Sequence, residues 1–336
     1  MGCVGHVFWN SVGKLTDMGR MTKRGFSLSL VLTLMATGSL QAQSAGGQDA
    51  VLEARLRSTA AAHHGKLALY AEDLMTGRTV SLDADAPVQT ASVIKLTGLY
   101  EALEQIREGK AHFEDKITLT HDDQVSGSGI LPLFDTPQTL TFKDALTLMI
   151  VLSDNTATNL AIDHLGLKNI DNRIVSLGLQ NTWFYKKVYK PAVGPMPADQ
   201  KVFGLGKTTA REMASVMKRF VTCDLNPPGN SAVPTQADHA LCDAALHMLR
   251  NQFYRNSLPR YLETLDTSEG ESSIANKTGA LDAVRNDVGV VYTKHGPIII
   301  SEFTYANEDQ SWTPDNQAEV LMAKMAKEIV DAWAAR

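Results

Sequence analysis

The sequence predicts an α+β fold: one antiparallel sheet built from both ends of the chain, terminal helices packed on it, and an all-helical subdomain inserted between its strands. Three observations carry this. Alternating apolar residues occur early, at Lys66 to Ala71 and Thr79 to Leu82, and return after Tyr254. The stretch from Ser92 to about His247 has helical spacing instead. Each end carries a helix with an apolar face that could cover a sheet. By these boundaries residues 43–85 and 256–336 form the sheet subdomain and residues 86–255 the helical one, with the active site between them.

Taken in order, Ala50 to His64 is Ala-rich with Leu52, Leu56 and Ala60 on one face, which reads as a helix. Lys66 to Ala71 and Thr79 to Leu82 flank the turn Met75-Thr76-Gly77-Arg78 and form a β-hairpin. Val93 to Gly109 is a helix opening at Ser92. Phe142 to Leu152 is a second, with Thr141 or Thr139 as its cap. Thr156 to Leu165 is a third and Thr209 to Val221 a fourth. Gln124 to Leu133 is a loop rich in Ser and Gly. Ser272 to Thr278 is a strand. Val288 to Thr293 and Ile298 to Tyr305 form a hairpin around Lys294-His295-Gly296-Pro297. Asn316 to Ala334 is the closing helix, and its stripe of Leu321, Met325, Ile329 and Trp333 reads as core rather than a cofactor box.

Of the 336 residues, 44% are hydrophobic and 21% charged, enough apolar side chain for a sizeable core. The net charge of −5 comes with no basic stripe, which excludes a nucleic-acid binder. Lys23 and Arg24 precede the apolar stretch Phe26 to Ala36, which has signal-peptide length and is too short to span a bilayer. The expected cut lies near Ala42, Met21 is a candidate initiator, and the mature chain is expected to be exported, periplasmic or secreted, without stable membrane insertion. No cysteine follows the apolar run, so nothing points to a lipoprotein. Loss of residues 1–42 removes four basic residues and one acid, which lowers the net charge by three to −8, and removes Cys3. The two remaining cysteines, Cys223 and Cys242, are expected to pair across the loop containing Pro227, Pro228, Gly229 and Asn230. Such a bridge, closing about 20 residues, is worth about 3 kcal/mol.

Three motifs then appear in a fixed order: Ser92-Val93-Ile94-Lys95, Ser153-Asp154-Asn155 and Lys277-Thr278-Gly279. Ser-x-x-Lys alone is weak, since it also occurs at Ser11–Lys14 and Ser215–Lys218. The other two occur once each, and their order carries the signal. Residues three apart at a helix start share a face, so the Ser92 hydroxyl and the Lys95 amine can meet. Lys95 can act as a base only if burial or a second cation such as Lys277 lowers its pKa. Ser153 offers a hydroxyl for proton relay, Asn155 an amide for Lys95 and for a substrate amide, and Asp154 a cap for the following helix. Lys277-Thr278-Gly279 ends a strand, where glycine lets a substrate lie along the edge. Arg285 lies eight residues on and could bind a carboxylate bidentately. Nine histidines without metal-ligand spacing argue against a metalloenzyme, and nothing calls for a cofactor.

The trio resembles the class A β-lactamases and their penicillin-binding relatives. Gly77-Arg78, the stretch Met149 to Leu160, Thr208-Thr209 and Arg285-Asn286-Asp287 extend the resemblance over about residues 50–336. It implies that Ser92 attacks a β-lactam carbonyl, with the backbone N–H groups of Ser92 and Ala280 as oxyanion hole. Lys95 is then the acylation base and Ser153 the proton donor to the ring nitrogen. Lys277, Thr278, Gly279 and Arg285 hold the substrate, together with Asn155. The implied partner is a small β-lactam or a cell-wall peptide, and the expected state is a monomer. One departure stands out. The family's deacylating glutamate, in Glu-x-x-Leu-Asn, is missing: Trp183 to Gly206 contains no glutamate, and its only acid is Asp199. The stretch carries Lys186, Lys187, Lys190 and Lys201 instead, and Glu212 comes too late. Cys223 and Cys242 also lie outside the helices that bear the first two motifs. The resemblance therefore implies acylation on Ser92 with impaired deacylation. A penicillin-binding DD-peptidase or esterase relative, or a sensor that is acylated once, remains the alternative.

Overall fold

The structure, a computed structural model, describes residues 46–230, 232–262 and 273–334. The expected export segment, Cys3, the Ser11–Lys14 pair and Ser272 lie outside the described residues. The chain opens with strand β1 (Gly47–Gln48) and helix α1 (Ala50–Ala60), where Asp49 caps by accepting from Leu52 N at 3.0 Å. The helix stops short of His64 because His63, His64 and Gly65 are weak helix formers. Strands β2 (Lys66–Asp73) and β3 (Arg78–Leu82) form the first hairpin. Gly77 in its turn takes φ +70°, a conformation that costs glycine little.

The middle of the chain runs from strand β4 (Val88–Gln89) through a 3₁₀ turn (Ala91–Ile94) to helix α2 (Lys95–Arg107). Strands β5 (Lys116–Leu119) and β6 (Gln138–Thr141) pair with each other, and helices α3 (Phe142–Val151), α4 (Asn155–Leu165) and α5 (Leu167–Ser176) follow. Thr141, not Thr139, caps α3, in a reciprocal box with Asp144. Strand β7 (Trp183–Phe184), the short helix α6 (Gln200–Phe203) and strand β8 (Gly206–Thr208) come next; β7 and β4 flank β8 in a small sheet. Helices α7 (Ala210–Thr222) and α8 (Gln236–Arg250) close the middle. The chain then returns as strands β9 (Ile274–Leu281), β10 (Val284–Thr293) and β11 (Gly296–Tyr305), and ends in helix α9 (Gln317–Ala334).

The main sheet has the order β1-β3-β2-β11-β10-β9, so it is built from both ends of the chain and β9 forms an edge. Paired residues share a face. One face, with Leu69, Ala71, Val291 and Ile300, packs against Leu52 and Leu56 of α1 and against Leu321, Met325, Ile329 and Trp333 of α9. The α9 stripe is therefore core. The opposite face, with Ala68, Ala275, Val288, Val290 and Phe303, joins one continuous core with α2, α3, α4, α7 and α8. Each fully buried large side chain in these layers is worth about 1.5–3 kcal/mol. Residues from the helical middle thus line the sheet directly, and the described residues fall in one compact unit. A disulfide joins Cys223, the left-handed cap of α7, to Cys242 of α8 with Cα atoms 5.6 Å apart.

Candidate active site

The site starts at the tight turn around Ser92. The sequence predicts an α-helix opening here, but the backbone makes a 3₁₀ turn first, with Ala91 at φ +44°. Bonds from two other strands and the close packing of a third impose this geometry. Thr90 N donates to Gly206 O at 3.1 Å on β8. Asn286 Nδ2 of β10 donates to Gln89 O at 2.9 Å and Thr90 O at 3.1 Å. Gly279 of β9 closes the third side: a Cβ there would lie 2.7 Å from Thr90 O, 2.9 Å from Val93 N and 3.0 Å from Ser92 N. Ser92 stays partly exposed while Val93 and Ile94 are buried. Lys95 follows the turn directly, and its backbone N–H donates to Ser92 O.

Lys95 is fully buried, and its Nζ meets Ser153 O at 2.7 Å, Asn155 Oδ1 at 3.1 Å and Ser153 Oγ at 3.2 Å. Lys277 is also fully buried, and its Nζ lies 3.0 Å from the same Ser153 Oγ while donating to Thr278 O at 2.8 Å. One hydroxyl therefore bridges two amines. Burial, then the charge of Lys277, holds the Lys95 amine well below the usual lysine range. Burial also lowers Lys277, to about 7, partly offset by the Asp287 carboxylate. The repulsion between the two ammonium groups is mutual and adds to desolvation in favouring loss of a proton from the pair. A neutral Lys95 has two N–H donors for Ser153 O and Asn155 Oδ1, and a lone pair left for a hydroxyl proton.

The Ser153-Asp154-Asn155 segment is held at the junction of α3 and α4. Ser153 adopts φ +53°, an uncommon conformation for a non-glycine residue. Asp154 caps α4 by accepting from Ala157 N at 2.8 Å. Its other oxygen accepts from Ile130 N at 2.7 Å and Leu131 N at 2.9 Å. Asn155 N donates to Ser128 O at 2.9 Å and Asn155 Nδ2 to Ser126 O at 3.1 Å. The Ser- and Gly-rich loop is thus stapled to the second motif along most of its length.

The third motif lies on the edge strand β9, with Lys277 opposite Val288, Thr278 opposite Asp287 and Ala280 opposite Arg285. Lys277 and Gly279 face Ser153 and the Ser92 turn, while Thr278 and Ala280 remain partly exposed. Asp287 sits buried behind the strand, accepting from Asn276 Nδ2 and from Leu258 N; burial raises its pKa to about 6. Arg285 does not join this group. Strand alternation places it on the face opposite Lys277, where α9 lies. There it is 2% exposed, paired with Glu319 at 3.2 Å, stacked on Trp312 with its guanidinium carbon 4.4 Å from the ring centre, and donating to Ser311 O at 2.6 Å. The expectation of a carboxylate clamp at Arg285 is therefore corrected to a structural role. Arg285→Ala is expected to lower stability by about 3–5 kcal/mol in urea unfolding, since it leaves Glu319 without its partner. The KM or acylation constant for a carboxylate-bearing substrate is expected to stay within about twofold of the parent.

No carboxylate of the expected loop is free to act as a base. Asp199 accepts from Tyr185 Oη at 2.9 Å and from Lys207 Nζ at 2.6 Å, and the lysine bond lowers its pKa. Glu212 caps the 181–182 turn through Asn181 N and Thr182 Oγ1. Sequence reading passed over Asn159, four residues and one helical turn beyond Asn155. Its side chain clamps Val188 on both sides, donating to Val188 O at 3.0 Å and accepting from Val188 N at 2.8 Å. The i, i+4 spacing of the two asparagines was the available signal. The Ser215–Lys218 pair is a surface feature: Lys218 bonds Glu72 at 2.6 Å. Among the described residues, no group of three or more His, Cys, Asp or Glu side chains could hold a metal, and no helix is long and apolar enough to cross a membrane.

A profile of the β-lactamase enzyme family matches residues 51–333. A β-lactamase of Streptomyces fradiae is 27% identical over 315 residues, covering 92% of this chain and 94% of its own. One from Streptomyces lavendulae is 23% identical over 316 residues, covering 90% and 95%. Among solved structures, a β-lactamase from Sphaerobacter thermophilus superposes with a TM-score of 0.69 at 24% identity, over 84% of this chain and 96% of that one. PBP-A superposes with the same TM-score at 21% identity, over 87% and 98%. These structural likenesses establish a shared fold. With the family profile spanning most of its length, the chain belongs to the β-lactamase enzyme family.

Proposed function

We propose that this protein is an exported serine hydrolase that β-lactams acylate on Ser92, at the place where the edge of the sheet meets the helical part of the chain. The observation that carries the reading is the Ser153 hydroxyl held between two fully buried amines, 3.2 Å from Lys95 and 3.0 Å from Lys277. Lys95, one 3₁₀ turn from Ser92, takes the proton as Ser92 Oγ attacks the lactam carbonyl. The oxyanion that forms meets the backbone N–H groups of Ser92 and Ala280. As the C–N bond breaks, the proton passes from Lys95 through Ser153 to the departing nitrogen. Lys277 and Thr278 attract the substrate carboxylate, and Asn155 holds its side-chain amide. Water then has to cleave the ester without a loop glutamate, since Asp199 is held by Lys207 and Tyr185. Deacylation therefore falls to Lys95 and is slow. That same feature supports a second reading, a penicillin-binding peptidase relative acting on a cell-wall peptide.

Intact-mass spectrometry during incubation with benzylpenicillin tests this. The expected result is one adduct on Ser92 that persists, and its absence from Ser92→Ala. An adduct that remains in Ser92→Ala, or none in the parent protein, rejects the assignment. Rapid loss of the adduct with release of the hydrolysed drug rejects slow deacylation but retains Ser92.

A further inference from the structure

Among the described residues, the Lys277 amine bonds a hydroxyl and a carbonyl, Ser153 Oγ and Thr278 O, and no carboxylate. A fully buried cation in such surroundings is costly unless an opposite charge stands close by. Asp154 supplies that charge to Lys95 from the helical side. For Lys277 it comes from the other side of the sheet, from a pair of buried carboxyl groups that the acylation chemistry does not use.

The pair is Asp287 of β10 and Glu302 of β11, opposite each other in the ladder and both 0% exposed. They differ in their hydrogen bonds. Asn276 Nδ2 donates to the two Asp287 oxygens at 2.8 and 3.1 Å, and Leu258 N donates at 3.1 Å. Asp287 also stands opposite Thr278 in the β9 ladder, so it is tied to the residues on either side of Lys277. Donated bonds of this kind favour the ionised form. Neither oxygen of Glu302 has a hydrogen-bond partner. Burial, then the charge of Asp287, holds the Glu302 pKa well above the usual carboxylate range, so it stays a neutral acid. The pair therefore carries one negative charge, on Asp287. Of the other charges near Asp287, half-buried Arg255 also favours its ionised form. Arg285, two residues along the same face, is already paired with Glu319.

We propose that Asp287 is a positioning residue for acylation: its single charge, fixed by Asn276 and Leu258 beside a neutral Glu302, keeps Lys277 the cation that draws the substrate carboxylate. This rests on the role given to Lys277 above. Asp287 titrates at about 6 and Lys277 at about 7. At pH 7 the carboxylate is thus charged while the lysine is near its midpoint, where a neighbouring charge alters its protonation most.

The test is the pH dependence of the second-order constant for acylation of Ser92 by benzylpenicillin, read by intact-mass spectrometry. Without the Asp287 charge, Lys277 loses its proton at lower pH. Asp287→Asn is therefore expected to move the falling limb to lower pH and to reduce the constant at pH 7 by about three- to tenfold. Asn276→Ala removes two of the three bonds that keep Asp287 ionised. It is expected to move the limb the same way, and it replaces Asp287→Asn if that variant does not fold. Glu302→Gln puts a neutral amide where a neutral acid stood and is expected to keep the parent's limb. In a Lys277→Arg background, Asp287→Asn is expected to leave the profile unmoved, because arginine stays protonated unaided. A limb that keeps its place in Asp287→Asn and Asn276→Ala overturns the role of Asp287 while leaving Ser92 acylation intact. So does an equal loss of rate in the Lys277→Arg background, which marks a purely structural effect. A limb displaced by Glu302→Gln overturns the placing of the single charge on Asp287. Failure of the parent protein to react at all overturns the reading of the site, and with it the proposal.

Discussion

Lys95→Met is expected to slow acylation by benzylpenicillin by about 10²–10⁴-fold, the usual worth of a positioned general base. Methionine fills much of the same volume, so the buried site stays packed, but it cannot take the Ser92 proton or anchor Ser153 O and Asn155 Oδ1. Single-turnover mass spectrometry reads the effect directly. The pH dependence separates the two amines. The second-order acylation constant reports groups of the free enzyme. Lys95, held well below the usual lysine range by burial and by the charge of Lys277, must be neutral to act as base, which gives a rising limb at low pH. Lys277 titrates at about 7; below that it carries the charge that draws a carboxylate, and above it the charge is lost. The constant is expected to fall as pH rises through about 7. In Lys277→Arg the falling limb should leave the measurable range, because arginine stays protonated. A falling limb that remains at about 7 in this variant contradicts the assignment.

Gly279→Val should be nearly as damaging, through geometry alone. Every atom that a Cβ at this position meets is backbone: Thr90 O, Val93 N and Ser92 N, all within 3.0 Å. Backbone cannot swing aside as a flexible side chain can, so β9 and the Ser92 turn must separate. Overpacking of this kind costs about 1–3 kcal/mol of stability. A displacement near 1 Å at a reacting atom costs about 100-fold in rate. Urea unfolding with the acylation assay should show both losses. Gly279→Ala should lie between the two proteins, and parent-like acylation in Gly279→Val would mean that β9 does not fix the turn.

The layout of the sheet was legible because its causes are local. The alternation of Lys66 to Ala71 and of Ile298 to Tyr305, and the stripe Leu321, Met325, Ile329 and Trp333, are imprints of one buried face each. The Asp154 cap was legible for the same reason, as was Thr141 as one of two candidate caps. The three motifs were read from their order, and Lys95, Ser153, Asn155 and Lys277 do meet. What escaped depends on contacts distant in sequence. Whether Arg285 turns toward Lys277 or toward α9 is decided by strand parity together with Glu319 and Trp312, dozens of residues away in neither motif. The 3₁₀ turn at Ser92 is imposed by Gly206, Asn286 and Gly279, so the local sequence reads simply as a helix start. Val188 stood in a stretch read only for its missing glutamate, and the Asn159 clamp that fixes it crosses 29 residues.

The placing of β11 beside β2 at the centre of the sheet has a consequence in time. Lys66 pairs with Tyr305 and Asp73 with Ile298, so the central ladder joins the two ends of the chain. During synthesis the first hairpin has nothing to pair with until some 230 residues later, and the helical middle lacks the sheet face that its core requires. Loop closure over that distance precedes any gain from the long-range contacts, which makes folding slow and leaves it until the chain is nearly complete. The active site, which needs β9 against the Ser92 turn, is therefore completed only after that closure.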